Sequence, residues 1–515
     1  MKYPIGIQNF EKIRTENYMF IDKTDLIFKM VNEGSYYILS RPRRFGKSLL
    51  LSTIHAYLSG RKDLFQGLAI ENLEKDWKEY LIFHLDLNVG EYNTEESLNQ
   101  KLDSFLTNLE EIYGKTETLT EAGQRFEAVI GKAYQKTGKK IVILVDEYDK
   151  PLLAAINNPE LQNHFRTILK AFYGVLKSMD GCIKFALLTS VTKFGKISVF
   201  SDLNNLIDIS MDSRYQTICG ITEEEIHQNF EEPVTELASN YNISYNEALD
   251  KLKKKYDGYH FVENGKGIYN PFSLLNTLSR GKFGDYWFET GTPTYLVELL
   301  QQSNYPLENL TKDSITADTL NSIDALDSNP IPVIYQSGYL TIKDYDEEFK
   351  EYTLTYPNQE VEEGFTSYLL KHYAGKSTEY SPNFVKEFVK DLRKGNINGF
   401  MQRMAAMLSD TSYEIVGKEE LYFQNTFFLI SRMLGFYTEV ERTTSNGRID
   451  MIIKTKDYIY IFEFKMDQSA ETALQQIEAK NYAAPFANDS CQLFKIGVNF
   501  SRANRCINDW KIVSQ

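Results

Sequence analysis

A chain of 515 residues, 42% apolar and 25% charged, has globular composition and length for about three domains, which excludes a disordered tail or a small disulfide-held scaffold. Its 57 Lys and Arg against 71 Asp and Glu leave a net charge of −14, so a uniformly basic coat for nucleic acid is excluded and any polyanion has to bind a local patch. Four cysteines (Cys182, Cys219, Cys491, Cys506) show no CxxC or paired spacing, which fits a reducing compartment and argues against structural zinc or a disulfide framework. The amino terminus lacks the apolar stretch of a signal peptide and no apolar run is long enough to span a bilayer, so a cytoplasmic chain with no membrane partner is expected.

In chain order, residues 1–220 alternate short apolar runs with helical patterns, the rhythm of an α/β domain with a largely parallel sheet. Strands are expected at 36–40, 81–86, 141–146 and 184–190, and helices at 48–59, 95–112, 121–135 and 163–178, so every strand returns through a crossover able to hold a helix. Residues 221–330 read as a mainly helical lid region containing an aromatic, Gly-rich passage, Tyr256-Asp257-Gly258-Tyr259-His260-Phe261. Within 331–412, a helix end and two strands, 338–342 and 351–356, joined by an acidic turn at 344–348, suggest a winged helix followed by a helical linker. Residues 413–515 read as helix, three strands, helix, strand (418–434, 437–441, 450–455, 458–464, 470–483, 493–499), an α/β unit large enough for its own core.

The segment Ile38-Leu39-Ser40-Arg41-Pro42-Arg43-Arg44-Phe45-Gly46-Lys47-Ser48-Leu49 ends a strand, makes a loop and opens a helix. It matches the last three positions of the phosphate-loop pattern GxxxxGK[ST], with Arg41 where the first Gly is expected. Helix-start N–H groups, through Leu49, favour phosphate; Gly46 allows close backbone approach, Lys47 reaches the terminal phosphates and Ser48 can ligate Mg²⁺. About a hundred residues on, Ile141-Val-Ile-Leu-Val-Asp146-Glu147 reads as a buried strand delivering two carboxylates at its carboxyl end. Asp146 would hold Mg²⁺, and Glu147 would orient and deprotonate the attacking water. Thr189 and Ser190, ending the next strand, are either sensors of the terminal phosphate or turn caps. Arg43, Arg44 and Arg214 are candidate charge stabilisers, and the first two could equally contact nucleic acid or a neighbouring subunit of a homo-oligomer.

In the last segment, Gly447-Arg448-Ile449-Asp450 starts a strand and Glu463-Phe464-Lys465 ends the next. A hairpin would set Asp450 beside Glu463 and Lys465, which are two apart and share a face. Two converging carboxylates make a hard-oxygen site for Mg²⁺, with Mn²⁺ as a substitute, and the adjacent Lys can align a water and offset charge on phosphorus. An ion pair on a strand face is the bland alternative, but it does not explain why an apolar strand carries its only acid at this end. Gln476, with Tyr482 further on, could face the cluster, and Glu420 could add a third carboxylate, although such residues on helices are usually solvated. Residues 413–515 hold 12 Lys and Arg against 13 Asp and Glu, less hostile to a polyanion than the rest of the chain.

With these residues in hand, the chain resembles a widespread bacterial family that fuses an AAA-ATPase-like domain to a PD-(D/E)XK nuclease-superfamily domain. The resemblance covers nearly the full length, through Tyr18-Met-Phe-Ile-Asp22-Lys23-Thr24, Arg41-Pro-Arg-Arg-Phe-Gly-Lys-Ser48, Asp146-Glu-Tyr-Asp-Lys-Pro151, Phe200-Ser-Asp-Leu-Asn-Asn-Leu206, Tyr256-Asp-Gly-Tyr259, Tyr269-Asn-Pro-Phe-Ser273, Gly338-Tyr-Leu-Thr341, Tyr356-Pro-Asn358 and Gly447-Arg-Ile-Asp450 with Glu463-Phe-Lys465. It implies a restriction-endonuclease-like carboxy-terminal fold. It also implies ATP and Mg²⁺ at Lys47, Ser48, Asp146 and Glu147, and a nuclease core of Asp450, Glu463, Lys465 and Gln476. The leading expectation is ATP binding and hydrolysis controlling a metal-dependent phosphodiesterase on nucleic acid, DNA first. The rival is a nucleotide-switched signalling or binding module with an inactive nuclease-like domain.

Overall fold

A computed structural model describes residues 2–201, 203–290, 294–321, 329–373, 382–409, 419–435, 439–441, 450–487, 489–501 and 506–514. The chain forms two compact units, Met1–Gly291 with Thr311–Val361, and Thr292–Leu310 with Glu362–Gln515. The unit boundaries cut across two of the four segments expected from the sequence: residues 292–310 of the lid region and 362–412 of the winged-helix and linker region fall in the second unit. Among the described residues, no helix is long and apolar enough to cross a membrane.

The first unit is built on strands β1 (Tyr36–Ser40), β2 (Leu81–Asp86), β3 (Ile141–Asp146), β4 (Ile183–Ser190) and β5 (Ile207–Asp208), in the order β2-β3-β4-β1-β5. Every pair is parallel. All of β1 and β3 is buried, which is why both read as unbroken apolar runs rather than alternating ones. Helices Lys47–Leu58, Glu95–Tyr113, Ala122–Thr137 and Pro159–Ser178 supply the crossovers. The short β5 was not legible, because two residues carry no periodicity.

The helical part of this unit has its own core around Ile226, Phe230, Leu237, Leu252, Tyr256 and Leu274. A two-stranded ladder, β6 (Ile221–Thr222) with β7 (Ile268–Tyr269), closes it. Two of its helices begin with reciprocal capping boxes, Thr222 with Glu225 and Ser244 with Glu247. The expected wing is three-stranded: β8 (Ser314–Thr316), β9 (Thr341–Asp346) and β10 (Glu351–Thr355), antiparallel in the order β8-β10-β9. Helix Ile331–Gln336 precedes β9. β9 runs on through Asp344 to Asp346, so the reversal falls later than the acidic run suggested; Asp344 pairs across the ladder with Thr353.

The second unit carries a mixed sheet in the order β11-β12-β13-β14-β15: β11 (Glu439–Glu441), β12 (Met451–Lys454), β13 (Tyr458–Met466), β14 (Gln492–Ser501) and β15 (Cys506–Ser514). β13 and β14 are parallel and the other pairs antiparallel. Helix Ala470–Ala479 makes the parallel crossover and packs Leu474 and Ile477 on Ile459, Ile461 and Leu493. Helices Pro382–Arg393 and Ile397–Ser409 also join this unit, with Phe400 against Phe462 and the Tyr460 hydroxyl donating to the Leu392 carbonyl at 2.6 Å. The edge strand β15 was not expected from sequence, since its residues alternate only weakly.

Candidate functional site

β4 lies between β1 and β3, so the ends of these three strands meet. β1 ends in the loop and β3 in the two acids. Gly46, at φ 95°, begins helix Lys47–Leu58, and a side chain would be strained there. Arg44 and Glu147 also hold left-handed backbone, at φ 66° and 54°, although neither is a glycine. Such conformations persist only where the surroundings impose them.

Ser48 Oγ donates to Asp146 Oδ2 at 2.5 Å, and Thr189 Oγ1 donates to Asp146 Oδ1 at 2.6 Å. Lys47 Nζ donates to the carbonyls of Arg41 (2.9 Å) and Pro42 (3.2 Å) and lies 4.0 Å from Glu147 Oε1. Asp149 is buried and accepts from the Thr192 amide (2.7 Å) and hydroxyl (2.8 Å). Burial, with the nearby Glu147 charge, pushes its carboxyl up to about 6. Ser190 is fully buried at the end of β4, whereas Thr189 is committed to Asp146.

A cleft of about 380 Å³ opens over this loop, lined by Arg43, Arg44, Gly46, Lys47, Ser48, Leu49, Glu147 and, unforeseen from sequence, Asn88 and Lys150. The signal for these two was position alone: each lies just past the end of a parallel strand. A contiguous apolar pocket shares Gly46 and Leu49 and adds Met19, Ile27, Phe45, Ile218 and Ile221. Arg214 is not part of the cleft lining; it is exposed and paired with Asp212 at 2.5 Å. Arg41, in the missing glycine's place, is buried. It donates to the carbonyls of Ser40 (2.9 Å) and Ser210 (2.7 Å) and stacks on Phe261 at 4.0 Å.

The rest of the loop is held from the same helical and wing region. Pro42 abuts Gly338, and the Arg43 carbonyl accepts from Trp287 Nε1 at 2.9 Å. Arg44 lies over Phe272 at 5.0 Å, and Phe45 packs edge-on to Tyr259 at 4.7 Å.

The second constellation lies in the other unit. Met451 pairs with Phe462, so the residue preceding β12, Asp450, falls beside Glu463. Asp450 Oδ2 accepts the Phe464 amide at 2.7 Å. Gln476, from helix Ala470–Ala479, donates to Glu463 Oε1, and Lys465 Nζ donates to Gln476 Oε1 at 2.6 Å and to Glu463 Oε1 at 3.2 Å. Among the described residues, the buried Glu463 Oε2 has no hydrogen-bond partner. Burial first, and the Asp450 charge second, push the Glu463 carboxyl up to about 7 against the opposing pull of Lys465 and Gln476. The unpartnered oxygen and the neighbouring carboxylate fit a hard cation of the Mg²⁺ kind, which keeps several of its waters and needs only one or two carboxylates. Gly447, Arg448, Ile449 and the Glu420 side chain lie outside the described residues.

Residues 4–200 match the family described as predicted AAA-ATPase, and residues 418–510 match the PD-(D/E)XK nuclease superfamily. An uncharacterized protein in the vnfD 5' region of Azotobacter chroococcum mcd 1 is 34% identical over 517 residues, covering 98% of each chain. The Aeropyrum pernix ORC2 protein, solved as ADPNP and ADP complexes, overlaps 70% of this chain and 98% of its own at 11% identity; a TM-score of 0.26 is too low to bear on fold or function. The chain belongs to the family of the Azotobacter protein, joining in one polypeptide a predicted AAA-ATPase domain and a PD-(D/E)XK nuclease-superfamily domain.

Proposed function

We propose that this protein binds and hydrolyses ATP in the amino-terminal cleft, and that the nucleotide state controls a Mg²⁺-dependent phosphodiesterase acting on nucleic acid, DNA first, at Asp450, Glu463, Lys465 and Gln476. The observation that carries the reading is the buried Glu463 Oε2 beside Asp450, unpartnered among the described residues, with Lys465 and Gln476 already holding the other oxygen. A structural ion pair would leave no oxygen idle, because an unsatisfied buried acceptor costs about 1–3 kcal/mol.

In the cleft, the phosphates would take the amides after Gly46 and the ammonium of Lys47, which would exchange the Arg41 and Pro42 carbonyls for phosphate oxygens. Ser48 and Asp146 would hold the cation, with Thr189 keeping Asp146 in place. The apolar pocket, with Met19 and Ile221 among its walls, would take the base. Glu147 would accept a proton from the attacking water. The loop's contacts with Tyr259, Phe261, Phe272, Trp287 and Gly338 would carry its state into the helical and wing region.

In the carboxy-terminal site, Asp450 and Glu463 would hold the metal, Lys465 would align the water for in-line attack on the scissile phosphorus, and Gln476 would fix both neighbours. When bound, the metal supplies a water of lowered pKa and neutralises phosphate charge. The test is Mg²⁺- and Mn²⁺-dependent cleavage of linear, circular and single-stranded DNA and of RNA, with and without ATP. Cleavage lost in Asp450→Ala and altered in Glu147→Gln is the expected result. Intact substrates with ATP still bound would turn the reading to a nucleotide-switched binding module, which the grip on the phosphate loop would equally serve.

A further inference from the structure

The chain just beyond β3 is arranged for more than its two acids. Glu147 sits in left-handed backbone at φ 54°, and the turn that follows buries Tyr148 and Asp149 while Glu147 and Lys150 both line the cleft. The carboxylates around Lys150 are already engaged. Asp146 takes Ser48 and Thr189, Asp149 takes Thr192, and Glu147 lies 4.0 Å from Lys47. Among the described residues Lys150 makes no ion pair, although it is only half-buried in a chain of net charge −14. Of the other two unassigned cations of this cleft, Arg44 is laid over Phe272, and Arg43 belongs to the loop whose backbone Trp287 grips. Of the three, Lys150 alone shares a turn with Glu147.

We propose that Lys150 is a catalytic cation supplied within the same chain, taking an oxygen of the terminal phosphate of ATP and stabilising the charge that grows as that group is transferred. The inference rests on the nucleotide reading above. In the step it serves, the water oxygen bonds to the terminal phosphorus and the bond from that phosphorus to the bridging oxygen breaks. The electron pair stays on ADP, the water's proton passes to Glu147, and the products are ADP and inorganic phosphate. Hydrolysis then needs no arginine from a second copy.

The experiment compares full-length wild type, Lys150→Met and Lys150→Arg, measuring ATP and ADP affinity with fluorescent nucleotide analogues and kcat over a range of protein concentrations. Expected are a kcat loss of about 100-fold in K150M, the size seen when one preorganised donor to a developing oxyanion is removed. ADP affinity should be unchanged, ATP should lose its advantage over ADP, K150R should recover part of the rate, and wild-type kcat should not depend on protein concentration. A K150M kcat within about threefold of wild type overturns the inference, and so does a wild type that binds ATP without hydrolysing it, the nucleotide site still standing. A wild type that binds no ATP removes that site and the inference together. ADP affinity monitors folding of the variants, and the rescue by arginine separates charge from shape.

Discussion

At the residue scale, Thr189 shows how a role is decided by one hydrogen bond. Its hydroxyl could have capped a turn or met a phosphate; its 2.6 Å bond to Asp146 makes it the group that orients the carboxylate proposed above to hold the cation. Thr189→Val keeps the β-branched shape and removes the donor. The Mg²⁺ concentration for half-maximal ATP hydrolysis is expected to rise about 10-fold, with metal-free ADP binding unchanged. A metal titration at saturating ATP checks this, and an unshifted curve would return Thr189 to a packing role. Lys47 and Ser48 were legible because a strand, a glycine turn and a helix start appear in sequence together, and Asp146 and Glu147 because an unbroken apolar run ends in two acids. Lys150 was not, since a lysine after a turn is usually solvated and only the cleft gives it a direction.

At the element scale, the carboxy-terminal cluster depends on how closely one helix lies on the sheet. Helix Ala470–Ala479 brings Gln476 over β13, and Gly497 on β14 is what lets it approach: a Cβ there would run into the Ala470 carbonyl oxygen and press on the Leu474 amide. Gly497→Ala is expected to cost about 1–3 kcal/mol of overpacking and to lift Gln476 from Glu463 and Lys465. A lowered urea midpoint with cleavage lost alongside it would be the signature, whereas a stable and fully active variant would show that the helix has room to move. The β12–β13 hairpin could be read from two apolar runs and the short turn between them, which placed Asp450 beside Glu463, and the register bears this out with Met451 opposite Phe462. Helix depth could not, because a glycine inside a strand announces close approach without naming the partner.

At the scale of the whole molecule, the unit that binds the phosphate loop carries a buried acid whose titration should mark its stability. Glu360 is 1% exposed and accepts the Trp287 amide at 2.8 Å and the Ser273 hydroxyl at 3.0 Å. Burial pushes its carboxyl from the ordinary 4.5 up to about 7. Below 4.5 both folded and unfolded chains hold the proton; between 4.5 and 7 only the folded chain does, so stability falls as pH rises through this window. The full contribution is about 3 kcal/mol, at 1.36 kcal/mol for each pKa unit. Glu360→Gln, which mimics the protonated acid, is expected to flatten the decline in thermal midpoint between pH 5 and 8; parallel wild-type and variant profiles would refute it. Trp287 also donates to the Arg43 carbonyl, so the same buried acid supports the residue that grips the phosphate loop.

The sequence by itself determined the architecture and the chemical vocabulary: a parallel sheet with a phosphate loop and paired acids, a helical middle, and a hairpin bearing an acid–acid–lysine set. Period-2 and period-3.6 patterns and glycine turns are local properties, and local properties survive in a one-dimensional string. Only the tertiary structure decided that Arg41 is a buried brace in the missing glycine's place, that Arg214 is spent on Asp212, that Thr189 serves Asp146, and that Glu463 keeps one oxygen idle among the described residues. For Arg41 and Thr189 the outcome is settled by which partner a polar group finds when water is removed, and those partners, Ser210 and Asp146, lie 169 and 43 residues away along the chain.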